Sequence, residues 1–345
     1  MMQKKLLNID LHISVIADMM DIFKRVDENI EIEEWSLSGH VWVFNKQKKQ
    51  LEILNPTTWT NLDMNMIQAF HEKYDAVLKT FDGFICGHPN AFVLLFEKYN
   101  KPIYVINSCR YDMPFCWNNN YAMIKELHAC FTRLHEKKLL RFISNNKADH
   151  AYFKLGNPTI PTQHIPSLCL YTKMQWNPAQ TNGMFLLYTG NLPMLQMSEH
   201  QIVHRSVLGR YQWSELMSFK GLIHFPYEAS TMSIFEQISS EIPLFFPSKS
   251  FLKMLWENNQ TPQQMNYWQH KRNGIIPEYL KSTKTCDFWL DRADYYDLEG
   301  YYYFDSFEHL YTLLDNFTDP LYAVRKAFIH TRKMKALEDY KQLLG

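Results

Sequence analysis

Short runs of consecutive apolar residues recur along this chain, and between them lie stretches in which apolar positions return at helical spacing. The first pattern reads as buried strands and the second as amphipathic helices, so their alternation predicts an α/β protein. The chain opens on a strand, Leu6–Ile9, passes a polar turn, Asp10–Ser14, and enters a helix over Val15–Arg25. A second strand falls at Ile30–Trp35, with apolar Val41–Phe44 beyond it; Lys46–Asn61 shows no period. Met66, Phe70 and Tyr74 space a helix over 64–78. Between 81 and 107 come a strand (Gly83–Cys86), a loop (Gly87–Asn90), a helix (Ala91–Tyr99) and a strand (Ile103–Ile106). That is one βαβ unit, and it requires a parallel sheet. A helix at 121–136, a strand at Arg141–Ser144, a helix at Lys147–Leu155 and a short strand at Gln163–Ile165 complete this half.

The period lapses over Pro166–Asn182, where proline, serine, asparagine and threonine accumulate as in a linker. A strand at Met184–Tyr188 then opens a second half, followed by a Thr189–Gly190–Asn191 turn, a helix over 195–208 and a loop with a short helix before residue 220. Leu222–Phe225 reads as a strand, Pro226–Thr231 as a loop, Met232–Ser240 as a helix and Leu244–Phe246 as a strand. Leu252–Glu257 is helical, and 258–286 is polar with Pro262 and Pro277. Trp289, Tyr295, Tyr296, Tyr301, Tyr302 and Tyr303 either stack on a sugar or base or belong to the core. Phe307–Leu314 and the long Leu321–Leu344 close the chain as helices, the latter with Arg325, Lys326, Arg332, Lys333 and Lys335 on a solvated face.

At 345 residues the chain exceeds what one core usually supports, which makes two domains the expectation. Lys plus Arg and Asp plus Glu both number 36, so the formal charge is zero and nucleic acid is not expected as the main partner. Aromatics make up 15% of residues and glycines number only 11, which describes a chain that buries large rings and leaves room for a homo-oligomeric interface. The six cysteines form no CxxC, and with no signal stretch at the start they read as reduced thiols of a cytoplasmic protein, with a Cys109–Cys116 bridge as the alternative. No apolar run approaches the roughly 20 residues of a membrane span.

The candidate chemistry gathers in residues 221–249. Glu228, on the loop, and Glu236, on the helix, are separated by seven residues. A helix start offers unpaired amides and partial positive charge, so Ser230, Thr231 and Met232 can present N–H groups to a phosphate. Glutamate, seven residues, glutamate, then an Ile-Pro pair and a short strand resembles the donor-nucleotide-sugar segment of two-domain glycosyltransferases of the GT-B type. That resemblance implies two Rossmann-like domains facing each other across a cleft: residues 1–168 on the acceptor side and 183–320 on the donor side, with 321–345 crossing back to the first. It also implies Glu236 on the ribose, Ser230, Thr231, Met232 and Ser233 on the donor phosphates, and Glu228 near the transferred sugar. This chain departs from the pattern in having Ala229, Ser230 and Thr231 where glycines are usual. It also has Asn191 after Gly190 instead of a basic residue, with no lysine until Lys220. The cations nearby are Arg205, Arg210 and Lys220; Arg210, in a loop after Gly209, is the first choice for the diphosphate, and a solvated arginine is the alternative.

Sugar transfer to a hydroxyl needs charge stabilisation at the leaving phosphates and, if configuration inverts, a general base. Candidates at strand ends of the first half are Asp10, His12, His40, His88 and Asp112, with Arg110 placed to hold a phosphate or acidic acceptor or to pair with Asp112. The glutamate pair resembles retaining families, in which no such base is needed, so retention is expected. No D-x-D stands at the end of an apolar strand, hence no obligatory metal and no tightly bound cofactor beyond the nucleotide-sugar co-substrate. A nucleotide-sugar epimerase and a non-catalytic carbohydrate- or nucleotide-binding scaffold are the other readings.

Overall fold

Leu6 and Leu7 are neighbours on a strand, so their side chains leave opposite faces of it, yet both are fully buried. A sheet covered on both faces is what an α/β layer structure requires. The computed structural model describes residues 3–38, 51–189, 195–261 and 286–344. They divide into two compact units: the chain up to Ser167 with Ala336–Gly345, and the described residues from Leu168 to Lys335.

In the first unit, strands β1 (Lys4–Asp10), β2 (Ile30–Ser36), β3 (Gly83–Cys86), β4 (Ile103–Asn107), β5 (Leu140–Ser144) and β6 (Gln163–His164) form one sheet in the order β2-β1-β3-β4-β5-β6. Every pairing is parallel. Helices α1 (Ile13–Val26), α2 (Met64–Leu78), α3 (Tyr121–Glu136) and α4 (Lys147–Gly156) connect the strands. Asp63, Asn120 and Asn146 cap α2, α3 and α4 by accepting an amide of the first turn, which explains where each begins. The chain runs from β1 to β2 on one side and places β3 on the other, so the direction switches between β1 and β3.

In the second unit, β7 (Phe185–Thr189), β8 (Ile202–His204), β9 (Gly221–His224), β10 (Leu244–Pro247) and β11 (Tyr302–Phe304) are again all parallel, in the order β11-β10-β9-β7-β8. This repeats the order of the first five strands of the other unit, and its switch lies between β7 and β9. Helices α5 (Trp213–Leu216), α6 (Met232–Ser239) and α7 (Lys249–Glu257) belong to it. Its core is built from Phe185, Leu187, Ile223, Phe225, Phe245 and Phe304, among others. The terminal helix Tyr322–Leu344 is divided between the units at Lys335.

Several expectations are corrected. Ala91–Tyr99 is not an α-helix but two tight turns, Asn90–Leu95 and Glu97–Tyr99. Ala91 through Phe96 are all buried, packed against α2, α3 and β4, so the segment has no solvent face to set a 3.6-residue period. The stretch 195–208 is not one helix, because pairing of Ile202 with Phe185 makes Ile202–His204 the edge strand β8. The lapse at 166–182 is no loose linker: Leu168, Cys169 and Trp176 are buried, and Trp176 donates its indole N–H to Phe219 O at 2.8 Å. The aromatic run is largely core. Trp289, Tyr295, Tyr301 and Tyr302 are buried, Tyr302 lies in β11 stacked on Phe245, and Tyr296 and Tyr303 donate to the backbone carbonyls of Pro247 and Tyr295. All six cysteines are free thiols. Among the described residues, no helix is long and apolar enough to cross a membrane. His40, Val41–Phe44, Gly190, Asn191, Pro262 and Pro277 lie outside the described residues.

Candidate functional site

In open parallel sheets, ligands bind beyond the carboxyl ends of the strands at the switch in strand order. Both sheets carry polar groups at that address. In the first unit β1 ends at Asp10, which is almost wholly buried. Its Oδ1 accepts the amide of His12 at 2.8 Å and its Oδ2 the amide of His88, beyond β3, at 2.9 Å. One carboxyl group therefore ties the loops after the two switch strands together, and Leu11 N bonds His88 O at 2.8 Å as a second tie. Gly87 is required here, because a Cβ would fall 2.7 Å from Asp10 Oδ2 and 2.9 Å from Ile106 O.

Burial raises the Asp10 pKa to about 7, with the four surrounding backbone amides pulling the other way. The His12 and His88 rings meet edge to face, with centroids 5.7 Å apart. His88 keeps part of its surface in solvent while its Nδ1 is enclosed. Burial first, then the charges of His12 and Arg110, lower its pKa to about 3, so the imidazole is neutral at ordinary pH. Behind the loop, Asn90 donates to Asn107 Oδ1 at 2.5 Å, and Asn107 donates to Ser144 Oγ and to Asp149 O. Asp112 does not stand on an accessible face: it is fully buried and accepts from the Tyr152 hydroxyl at 3.0 Å, so its role is in the core. Asp10 is likewise an anchor for two loops. Arg110 is half-buried after β4, and its charge reaches His88.

In the second unit β9 ends at His224, which is completely buried. Its Nε2 lies 2.7 Å from Gln237 Oε1 on α6, and its Nδ1 3.3 Å from Thr189 Oγ1 at the end of β7. Burial lowers its pKa to about 3, so this neutral ring is a structural strut joining both switch strands to α6. Glu228, Ser230, Thr231, Met232 and Ser233 follow on the loop and first turn, each partly exposed. Thr231 is the extended residue before α6, and its hydroxyl lies 3.2 Å from Ser233 Oγ instead of capping the turn. Glu236 sits one turn deeper. The Tyr171 hydroxyl donates to its Oε1 and the Trp213 indole donates to its Oε2 at 3.2 Å.

Beside this carboxylate the hydroxyls of Tyr188 and Tyr211 lie 2.6 Å apart, and the Arg205 guanidinium stands 5.2 Å from the Tyr188 ring centre. Burial, and then the neighbouring Tyr211, raise the Tyr188 pKa. Tyr227 keeps 36% of its surface in solvent, and its pKa is raised by burial of the remainder and then by the Glu228 charge. Arg205 is thus a cation held against the aromatic wall. Arg210 lies exposed after Gly209. Lys220 is misplaced for a donor phosphate: it precedes β9, at the amino end of a strand whose carboxyl end carries the Glu228 loop, and bonds Gln201 at 3.3 Å. The length of β9, on the order of 13 Å at about 3.3 Å per residue, separates the two ends.

Tyr171, Trp213, Tyr188 and Tyr211 are absent from the expected site. Tyr171 falls in the stretch that reads as a linker, where two aromatics in a polar run, Tyr171 and Trp176, are the available signal.

No protein family model matches the sequence, and no curated protein matches it. Among solved structures, the chain is similar to Anabaena HepE in complex with UDP and glucose, at 9% identity and a TM-score of 0.53, covering 100% of this chain and 99% of that one. The glycosyltransferase SnogD from Streptomyces nogalater matches at 9% identity and a TM-score of 0.49, over 99% of this chain and 100% of that one. With like-ordered parallel sheets in both units, the HepE likeness shows the fold of this chain: two Rossmann-like units of the GT-B type.

Proposed function

We propose that the protein is a glycosyltransferase that takes a sugar from a nucleotide-sugar to a hydroxyl acceptor, without an obligatory metal. The observation that carries this reading is Glu236, one turn into the helix that leaves the switch point of the second sheet, beside Arg205 and the Tyr188–Tyr211 wall. A carboxylate there accepts from ribose hydroxyls, the amides at the start of α6 and the Arg205 guanidinium meet a diphosphate, and Glu228 faces the sugar. The fold shared with HepE, which was crystallised with UDP and glucose, supports the same reading. His12 and His88, with Arg110 nearby, are the groups that would receive an acceptor and take its proton.

Two stereochemical readings follow. The spacing of the glutamates favours retention; the two imidazoles that meet edge to face beyond the switch strands would serve inversion, with His12 the better base because the lowered pKa of His88 makes that ring a weak proton acceptor. A thermal-shift panel of UDP-, GDP-, dTDP-, ADP- and CMP-sugars tests the donor site, since a ligand at a hundred times its Kd adds about 2.7 kcal/mol of stability. One responsive nucleotide class identifies the donor, and NMR of the product anomer then decides the stereochemistry. No response from any nucleotide would leave a scaffold without turnover.

A further inference from the structure

The carboxylate assigned to the ribose is already engaged by the protein's own donors. Tyr171 holds Oε1 and Trp213 holds Oε2, with their rings edge to face at 5.7 Å. The placement of Tyr171 is built in. It lies in the short turn Leu170–Thr172, between two residues of positive φ, Cys169 at 49° and Lys173 at 53°. Cys169 is fully buried, and its carbonyl accepts from Ser239 Oγ at 3.1 Å and from Thr172 Oγ1 at 3.2 Å. Ser239 is on α6, so the turn that presents Tyr171 is fastened to the helix that carries Glu236.

A phenol and a ribose hydroxyl offer a carboxylate the same kind of bond, one O–H donated to an anionic oxygen. The exchange is close to balanced when the incoming ligand carries that hydroxyl. A ligand without it leaves the phenol where it is. On the reading of this unit as a nucleotide site, we propose that Tyr171 is a specificity-determining residue. Its hydroxyl holds Glu236 Oε1 and yields it to the ribose 2′-hydroxyl of a nucleoside diphosphate, while Trp213 keeps Oε2 and orients the group. Tyr171 thereby weakens binding of ribonucleotides and leaves deoxyribonucleotides untouched.

Calorimetric titration of UDP, GDP and ADP and of their 2′-deoxy forms into the full-length protein, Tyr171→Phe and Glu236→Ala tests this. For the nucleotide that binds, Tyr171→Phe should tighten the ribo form about tenfold, the scale of one hydrogen bond to a charged group, and leave the deoxy form within about twofold. Unchanged or weaker ribo binding in Tyr171→Phe overturns the proposal, because the phenol then orients Glu236 or does nothing there. Equal tightening of both forms also overturns it, since the gain would not come from the 2′-hydroxyl. Unaltered ribo affinity in Glu236→Ala overturns it by placing the ribose elsewhere. If no nucleotide binds the unmodified protein, the nucleotide reading itself fails and this inference falls with it. Melting curves of each variant confirm that it is folded.

Discussion

The two units place polar groups at the same address on sheets of the same strand order, but they build them differently. At the first switch point the structure is made by the backbone: Asp10 accepts amides from both flanking loops, and Gly87 gives it room. At the second it is made by side chains, with a carboxylate held by a phenol and an indole, next to a phenol pair and an arginine. A carboxyl saturated by buried amides is rigid and unavailable, and its charge is costly. A partly exposed carboxylate held by exchangeable hydroxyl and indole donors can change partners. Topology sets the address in both cases; the residues decide whether the group there is an anchor or a ligand.

That contrast can be broken by substitution. The largest effect is expected at Gly87→Ala, where the added Cβ meets a carboxyl oxygen and a backbone carbonyl that cannot both move. A loss of about 1–3 kcal/mol in urea unfolding is expected; wild-type stability would show that the first address is not rigid. Glu236→Ala should instead cost little stability but weaken nucleotide-sugar binding about tenfold or more, as expected for a lost charge-assisted bond. Glu228→Ala should lower kcat more than affinity, and calorimetry beside steady-state kinetics separates the two.

The pH dependence of stability sharpens the comparison next. His88 and His224, lowered from 6.5 to about 3, contribute stability that is complete above pH 6.5 and lost as pH falls toward 3. Asp10, raised from 3.8 to about 7, acts in the opposite sense: its contribution is present below pH 3.8 and lost as pH rises to 7. Asp10→Asn should therefore make stability climb more steeply between pH 4 and 7 than in the wild type, and parallel curves from urea melts would contradict the buried carboxyl. The smallest effect is expected for Tyr188→Phe, which removes one hydroxyl of the phenol pair: about 1 kcal/mol by thermal melting.

The sequence by itself determined the described strands other than β8 and β11, and most of the helices. Buried parallel strands are apolar runs, and the capped helices start at asparagine and aspartate, so both are written locally. It also determined where Glu228, Glu236, His12 and His88 lie along the chain, and that they follow strand ends. What it left undetermined are features decided by distant partners. The pairing that makes Ile202–His204 a strand, the enclosure that tightens 90–99 and the burial of the aromatic run each depend on neighbours far along the chain. Only the tertiary structure showed that Asp10 reaches the His88 loop across 78 residues, and that Tyr171 reaches Glu236 across 65 residues. Hydrogen bonds of that kind leave no period or spacing in a single sequence, because either partner taken alone is an ordinary polar residue.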